Sequence, residues 1–283
     1  MSGRNTSFYY SFVFLPEDKR RAITAVWDFC RAVDDTVDEL VPCPSGGAVT
    51  PEAREKARRD LDEWRRDLAE CYAGGSPRSV QARQLQPFVS RFNLPRRSFD
   101  AVIDGVEMDL VHRRYETFDA LREYCLRVAS AVGLICIEIF GYRDRRTRDF
   151  AIDLGLALQL TNIVRDIGVD LDSGRVYLPL EDLERFACSE QDLRARVMTP
   201  RVRELIRYEC DRARAYYRKA ERELPRVDRR RLVAARIMGA IYFDILRRIE
   251  RAGYDVFSGI IRAPRPHRAA IAAWTWARTL AGF

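Results

Sequence analysis

Histidine and lysine are scarce in this chain of 283 residues: His112 and His267 are the only histidines, and Lys19, Lys56 and Lys219 the only lysines. So few histidines leave little material for a Ser-His-Asp triad, a Cys-His pair or a histidine metal site, and the chemistry falls to carboxylates. The cysteines (Cys30, Cys43, Cys71, Cys125, Cys136, Cys188 and Cys210) are odd in number and contain no Cys-x-x-Cys pair. They read as reduced, mostly buried thiols rather than a zinc or redox centre. No stretch approaches the roughly 18 to 20 uninterrupted apolar residues of a membrane-spanning helix. The opening MSGRNTSFYY lacks the basic and apolar segments of a secretory signal, so the expected location is the cytoplasm. A Gly-rich phosphate loop of the GxxxxGK kind is missing too, which disfavours kinase or ATPase chemistry.

What is present begins with a 47% hydrophobic content, enough to fill a sizeable core. The net charge of +7 comes almost wholly from arginine; it suits polyanions or anionic lipid, or reflects a compositional preference with no bearing on partners. Apolar residues recur at three and four positions in nearly every segment, which predicts an all-α fold of about ten helices in a single domain, 1–283. Helices are expected near 16–40, 52–72, 78–92, 96–111, 117–140, 145–168, 200–223 and 229–252. Breaks are expected at 42–51, 73–77 and 172–180, where glycine and proline gather.

The chemistry gathers on two predicted helices. In AVWDFCRAVDDTVDE, Trp27, Arg31, Asp34 and Asp38 follow one another at four, three and four residues and so share one face. Carboxylates one turn apart repel, and a hard cation such as magnesium, which takes carboxylate and phosphate oxygens, would relieve them. A solvated acidic face beside arginines is the competing reading of this ladder alone. A second ladder, Gln159, Asn162, Asp166 and Asp170 in LQLTNIVRDIGVD, rises at three, four and four among apolar neighbours. Burying those carboxylates unpaired would cost several kcal/mol each, and a metal and pyrophosphate site shared between the helices resolves both conflicts. Loss of pyrophosphate from an allylic diphosphate leaves a carbocation, which needs a dry pocket with aromatic faces. Phe8, Phe12, Phe14, Trp27 and Tyr242 are candidates for that lining, each also explicable as ordinary core.

With these residues in hand, the chain resembles the squalene and phytoene synthase family, the head-to-head prenyl transferases, over nearly its full length. The resemblance is carried, in family order, by SFYYSFVFLP, AVWDFCRAVDDTVDE, DGVEMDLVHRRYETFDAL, YCLRVASAVGL and LGLALQLTNIVRDIGVDLDSGRVYLPLEDL. It implies an isoprenoid synthase fold with a central cavity and the two aspartate motifs facing each other across its mouth. It further implies Asp34, Asp38, Asn162, Asp166 and Asp170 as ligands of Mg2+, with Asp34, Asp38, Asp166 and Asp170 catalytic. Arg31 and Arg165 would hold pyrophosphate, with Gln159 at the same site. Arg4, Asn5, Thr6 and Ser7 would cover a second diphosphate beside Phe8, residues 175–179 (RVYLP) would form a flap, and Tyr242 would be a pocket tyrosine. Trp27 stands where many relatives carry tyrosine, Leu126 where an aromatic is frequent and Ser130 where glycine is usual.

Within the family, the segment AARIMGAIYFDILRRIERAGYDVF together with SFYYSFVFLP and DGVEMDL looks most like the bacterial presqualene diphosphate synthases of hopanoid biosynthesis. That implies condensation of two farnesyl diphosphates; phytoene synthase and full squalene synthase are the alternatives, and only the last consumes NADPH. Arg127, placed inward by helical phase, would oppose a second ionisation and stop the reaction halfway. A remote alternative, a basic helical nucleic-acid or scaffold protein, conflicts with acidic pairs that interrupt apolar faces. The tail from Arg262 onward, with Arg265, Arg268, Trp274 and Trp276, suits an interfacial helix and hence peripheral membrane contact, or packs onto the domain.

Overall fold

The computed structural model describes residues 11–38 and 50–281, apart from the side chain of Asp38. Its helices are α1 (Glu17–Asp38), α2 (Pro51–Ala73), α3 (Val80–Arg91), α4 (Arg96–Val111), α5 (Phe118–Cys125), α6 (Ala131–Phe140), α7 (Thr147–Asp172), α8 (Leu180–Arg185), α9 (Glu190–Arg194), α10 (Pro200–Glu223), α11 (Val233–Arg251) and α12 (Arg265–Leu280). The all-α expectation holds: among the described residues the only β feature is an isolated bridge between Arg114 and Val176. No described helix is long and apolar enough to cross a membrane. The six described cysteines are all free thiols.

The helix starts follow from side chains placed to accept the first free N–H groups. Thr50, Ser79, Thr117, Ser189 and Thr199 each cap the helix that follows. The start of α7 is held differently: buried Asp228 accepts from Arg143 N at 2.8 Å, Asp144 N at 2.9 Å and Thr147 Oγ1 at 2.9 Å. That network fixes the direction of the longest helix, which carries the second ladder. The expected helix 145–168 therefore begins at Thr147 and continues one further turn to Asp172, and the expected 229–252 helix begins only at Val233.

The expected continuous helix 117–140 is interrupted by a π-helical turn, Leu126–Ser130, between α5 and α6. Two glycines admit it. A Cβ on Gly155 of α7 would lie 2.6 Å from Ser130 Cα, and one on Gly105 of α4 would lie 2.7 Å from Val128 Cγ1. An inserted residue rotates everything before it relative to everything after it. Arg127 consequently does not point inward; it is partly exposed and pairs with Asp104 at 3.8 Å, while Val128 and Ala129 take the inner face. Ser130 is buried and donates to Ile152 O at 2.7 Å, so its hydroxyl is satisfied without reaching the interior space.

Candidate active site

A cavity of about 570 Å³ runs between α1, α4, the π-helical turn, α6, α7 and α11. One face of α7 forms its long wall: Ala151, Leu154, Gly155, Leu158, Gln159, Asn162, Asp166 and Asp170 all line it at helical spacing. At 1.5 Å per residue, Phe150 at one end and Asp166 near the other stand about 24 Å apart along the axis. The Phe150 end is apolar, with Cys136, Ile137 and Phe140 beside it; the other end is polar. Lys19 Nζ donates to Phe140 O at 2.7 Å, which sets the start of α1 at the apolar end and Asp34 at the polar end.

Both ladders thus open onto one space. Trp27, Arg31, Asp34, Gln159, Asn162, Arg165, Asp166, Asp170 and Tyr242 line the cavity, as does Phe12. Asp38 lies on the same helix, but its side chain is outside the described residues, as are Arg4, Asn5, Thr6, Ser7 and Phe8. Phe14 is a correction: it is exposed and stacks on Trp276 at 5.3 Å, because the chain turns outward after Phe12.

Arg165 Nε donates to Asp166 Oδ1 at 2.8 Å and Nη2 to Oδ2 at 2.5 Å. Burial of the guanidinium acts to lower its pKa, but hydrogen bonds to Asp166 and Tyr242 prevail and raise it. The buried Tyr242 phenol is itself pushed up by burial, against the pull of Arg165. Arg31 is half-exposed and stands 3.6 Å from Asp35, which also lines the cavity. Arginine's flat fork is suited to diphosphate oxygens, and both forks lie at the polar end.

Several lining residues escaped the sequence reading. Asp109 accepts hydrogen bonds from Tyr124 Oη at 2.9 Å and Tyr177 Oη at 3.0 Å. Burial holds both phenols well above their ordinary pKa, with the Asp109 charge adding to the effect, so both stay protonated donors. The two rings stack at 5.4 Å. Their meeting depends on Val176 N donating to Arg113 O at 3.0 Å and Leu180 N to Tyr115 O at 2.9 Å. Gly174, at φ 71°, makes the turn that brings Arg175 N back to Asp170 O at 2.8 Å, and Arg175 lines the polar end.

Does this polar end fit a hard divalent cation? Asn162 Oδ1 is buried with no hydrogen-bond partner, a carbonyl oxygen without an occupant. The lining donors Asp34, Asn162, Asp166 and Asp170 are all oxygen ligands. Among the described residues no three carboxylate, His or Cys side chains converge on one point. Magnesium is held by one or two carboxylates while waters and substrate phosphates complete its octahedron, so the donor set fits.

The comparisons with known proteins agree with this architecture. Residues 1–274 match the squalene/phytoene synthase family, and the chain belongs to that family of enzymes. It is 38% identical over 284 residues to a 15-cis-phytoene synthase of Synechocystis sp., covering 96% of this chain and 81% of that enzyme. It is 36% identical over 250 residues to a presqualene diphosphate synthase of Rhodopseudomonas palustris, covering 88% and 85%. Among solved structures, a dehydrosqualene synthase in complex with a ligand superposes with a TM-score of 0.85 at 26% identity, covering 98% of this chain and 93% of the other.

Proposed function

We propose that this enzyme condenses two farnesyl diphosphates head to head to presqualene diphosphate, releasing one pyrophosphate and one proton. The observation that carries it is the single cavity lined by both acidic ladders at one end and by apolar and aromatic side chains at the other. One domain would house the whole reaction, since both ladders and the apolar lining belong to one packed set of helices. Asp34, Asp38, Asn162, Asp166 and Asp170 would hold Mg2+, which supplies charge neutralisation for a departing diphosphate. Arg31, Arg165 and Arg175 would bind diphosphate oxygens, and Arg4 to Ser7 would cover the second diphosphate. Trp27, Phe12 and Tyr242 would shield the allylic cation and offer it aromatic faces. Gln159 would orient the first diphosphate. The C1 of the ionised molecule then joins the double bond of the second, whose own diphosphate stays in the product.

A second reading, condensation of two geranylgeranyl diphosphates to phytoene, is favoured by the identity to phytoene synthases, which equals that to presqualene diphosphate synthases within two percentage points at 38% against 36%. The outward course of Arg127 also removes the repulsion that was to halt the reaction after one ionisation. The test is incubation of the purified protein with each diphosphate and magnesium, without reductant. Presqualene diphosphate from the farnesyl substrate, unchanged by adding NADPH, is the expected product. Squalene, or faster formation of phytoene from the geranylgeranyl substrate, would overturn it.

A further inference from the structure

The ends of the described chain meet in an exposed apolar surface. The outward side of α12 carries Ala269, Ala270, Ala273, Trp274, Ala277 and Leu280, all exposed, and Trp274 retains 67% of its free surface. Phe14, also exposed, extends this side from the segment before α1 through the Phe14–Trp276 stack at 5.3 Å and 19°, and its neighbour in sequence, Val13, is exposed as well. An aromatic pair left in water, continuous with a helix of alanine and tryptophan, differs from scattered surface hydrophobics.

This side is held rigidly. The inward side of α12 packs Ala272 against Val233, Ile237 and Ile241 of α11. Arg236 Nη1 donates to Thr279 Oγ1 at 2.7 Å and Arg230 Nη2 to Leu280 O at 2.8 Å, while His267 Nε2 lies 3.2 Å from Asp244 Oδ1. The helix is therefore fastened along its length with its apolar side turned out. The charge pattern identifies what would cover it. Beyond Asp255 the chain has no acidic residue and four arginines, Arg262, Arg265, Arg268 and Arg278. Tryptophans with arginines and no carboxylates match an anionic lipid surface, where the rings sit at headgroup depth and the guanidiniums pair with phosphates.

We infer that α12 and residues 13–14 form one docking surface for an anionic phospholipid bilayer, seating the apolar end of the cavity against the membrane. The placement follows from the segment before α1 and from α11. Phe12 lines the cavity while Phe14, two residues on, lies in the docking surface; Ala235, Met238 and Tyr242 of α11 line the cavity while Val233, Ile237 and Ile241 carry α12. One short segment and one helix separate the apolar end from the lipid. The docking rests on the surface alone; its use for passing prenyl chains between bilayer and cavity rests on the function proposed above.

The test is co-sedimentation of the full chain, without substrate, on vesicles of phosphatidylcholine alone and of phosphatidylcholine with phosphatidylglycerol. Binding to the anionic vesicles is expected, with a loss of at least about tenfold for Trp274→Ser, a change at an exposed ring that leaves the circular dichroism unaltered. Arg262→Gln and Arg265→Gln are each expected to weaken binding roughly fivefold on anionic vesicles only. Equal binding by wild type and Trp274→Ser, or no binding to either vesicle, overturns the inference. So does a dimer in solution that Trp274→Ser dissociates, since a second copy would then own the surface. A protein inactive on farnesyl diphosphate that still binds vesicles would sink the proposed reaction and leave the docking intact.

Discussion

The cluster at the cavity mouth, Arg165 with Asp166, and the cluster Arg212 with Glu209 and Asp182 are made of the same residue types on packed neighbouring helices. In the second, Arg212 Nη1 reaches Asp182 Oδ2 at 2.7 Å and Glu209 Oε2 at 2.7 Å, and its guanidinium lies 4.1 Å over the Phe118 ring. Every charge there is covered, and none of these residues borders the cavity. In the first, the carboxylate faces a void, with the unpartnered Asn162 Oδ1 one turn away. Arginine beside carboxylate is therefore not what marks a site in this fold. Polar capacity left unmatched in residues that line a cavity is.

The largest effect that sharpens this contrast belongs to the closed cluster. Arg212→Leu strands the buried Asp182 carboxylate and leaves the buried Glu209 carboxyl group without its donor, so a loss of about 3 to 5 kcal/mol in unfolding free energy is expected. Denaturant melts read that loss, and turnover per folded molecule should stay near wild type. Asp166→Asn reverses the pattern: at least about 100-fold less turnover, equivalent to roughly 2.7 kcal/mol of barrier, with an unchanged melt. A closed-cluster variant that lost turnover while fully folded would break the distinction.

Smaller effects follow. Gly155→Ala would drive a methyl group to 2.6 Å from Ser130 Cα. Since helix backbones cannot part freely, a destabilisation of about 1 to 3 kcal/mol is expected, with a change in KM as the π-helical turn shifts Val128 and Ala129. Glu209 gives an effect that only a change of pH reveals. Burial pushes its carboxyl from 4.5 up to about 8, against the opposing pull of Arg212. The unfolded chain sheds that proton near 4.5 and the folded chain near 8, so in that window the folded state holds more protons and stability falls as pH rises. The slope approaches about 1.4 kcal/mol per pH unit for one proton. Glu209→Gln removes the titration, so its melting temperature should vary less between pH 5 and 8 than that of wild type; an unchanged slope would discard the assignment.

Much of the cavity wall was legible in the sequence because α7 is a regular helix, where spacing converts directly to direction. Gln159, Asn162, Asp166 and Asp170 line the cavity as their three and four residue steps predict. The same arithmetic failed at Arg127, since a π-helical turn breaks the 3.6 residue period that phase reasoning assumes. Phe14 failed for the opposite reason: it belongs to no regular helix, and an aromatic residue near others in sequence has no fixed side. Asp109, Tyr124 and Tyr177 are brought together only by the pairing of 113–116 with 176–181, a tertiary event without a local signature.

The central claim is that the two ladders act as one metal-dependent site, and pyrophosphate release from farnesyl diphosphate tests it most directly. Wild type, Asp34→Asn, Asp166→Asn and the double variant would be followed across magnesium concentrations and with excess chelator. Residues that act as a unit do not lose activity multiplicatively. Each single variant should lose at least about 100-fold, the double variant little more, and chelated wild type should be silent. Full turnover in either single variant, losses that multiply in the double, or release that survives chelation would contradict the account.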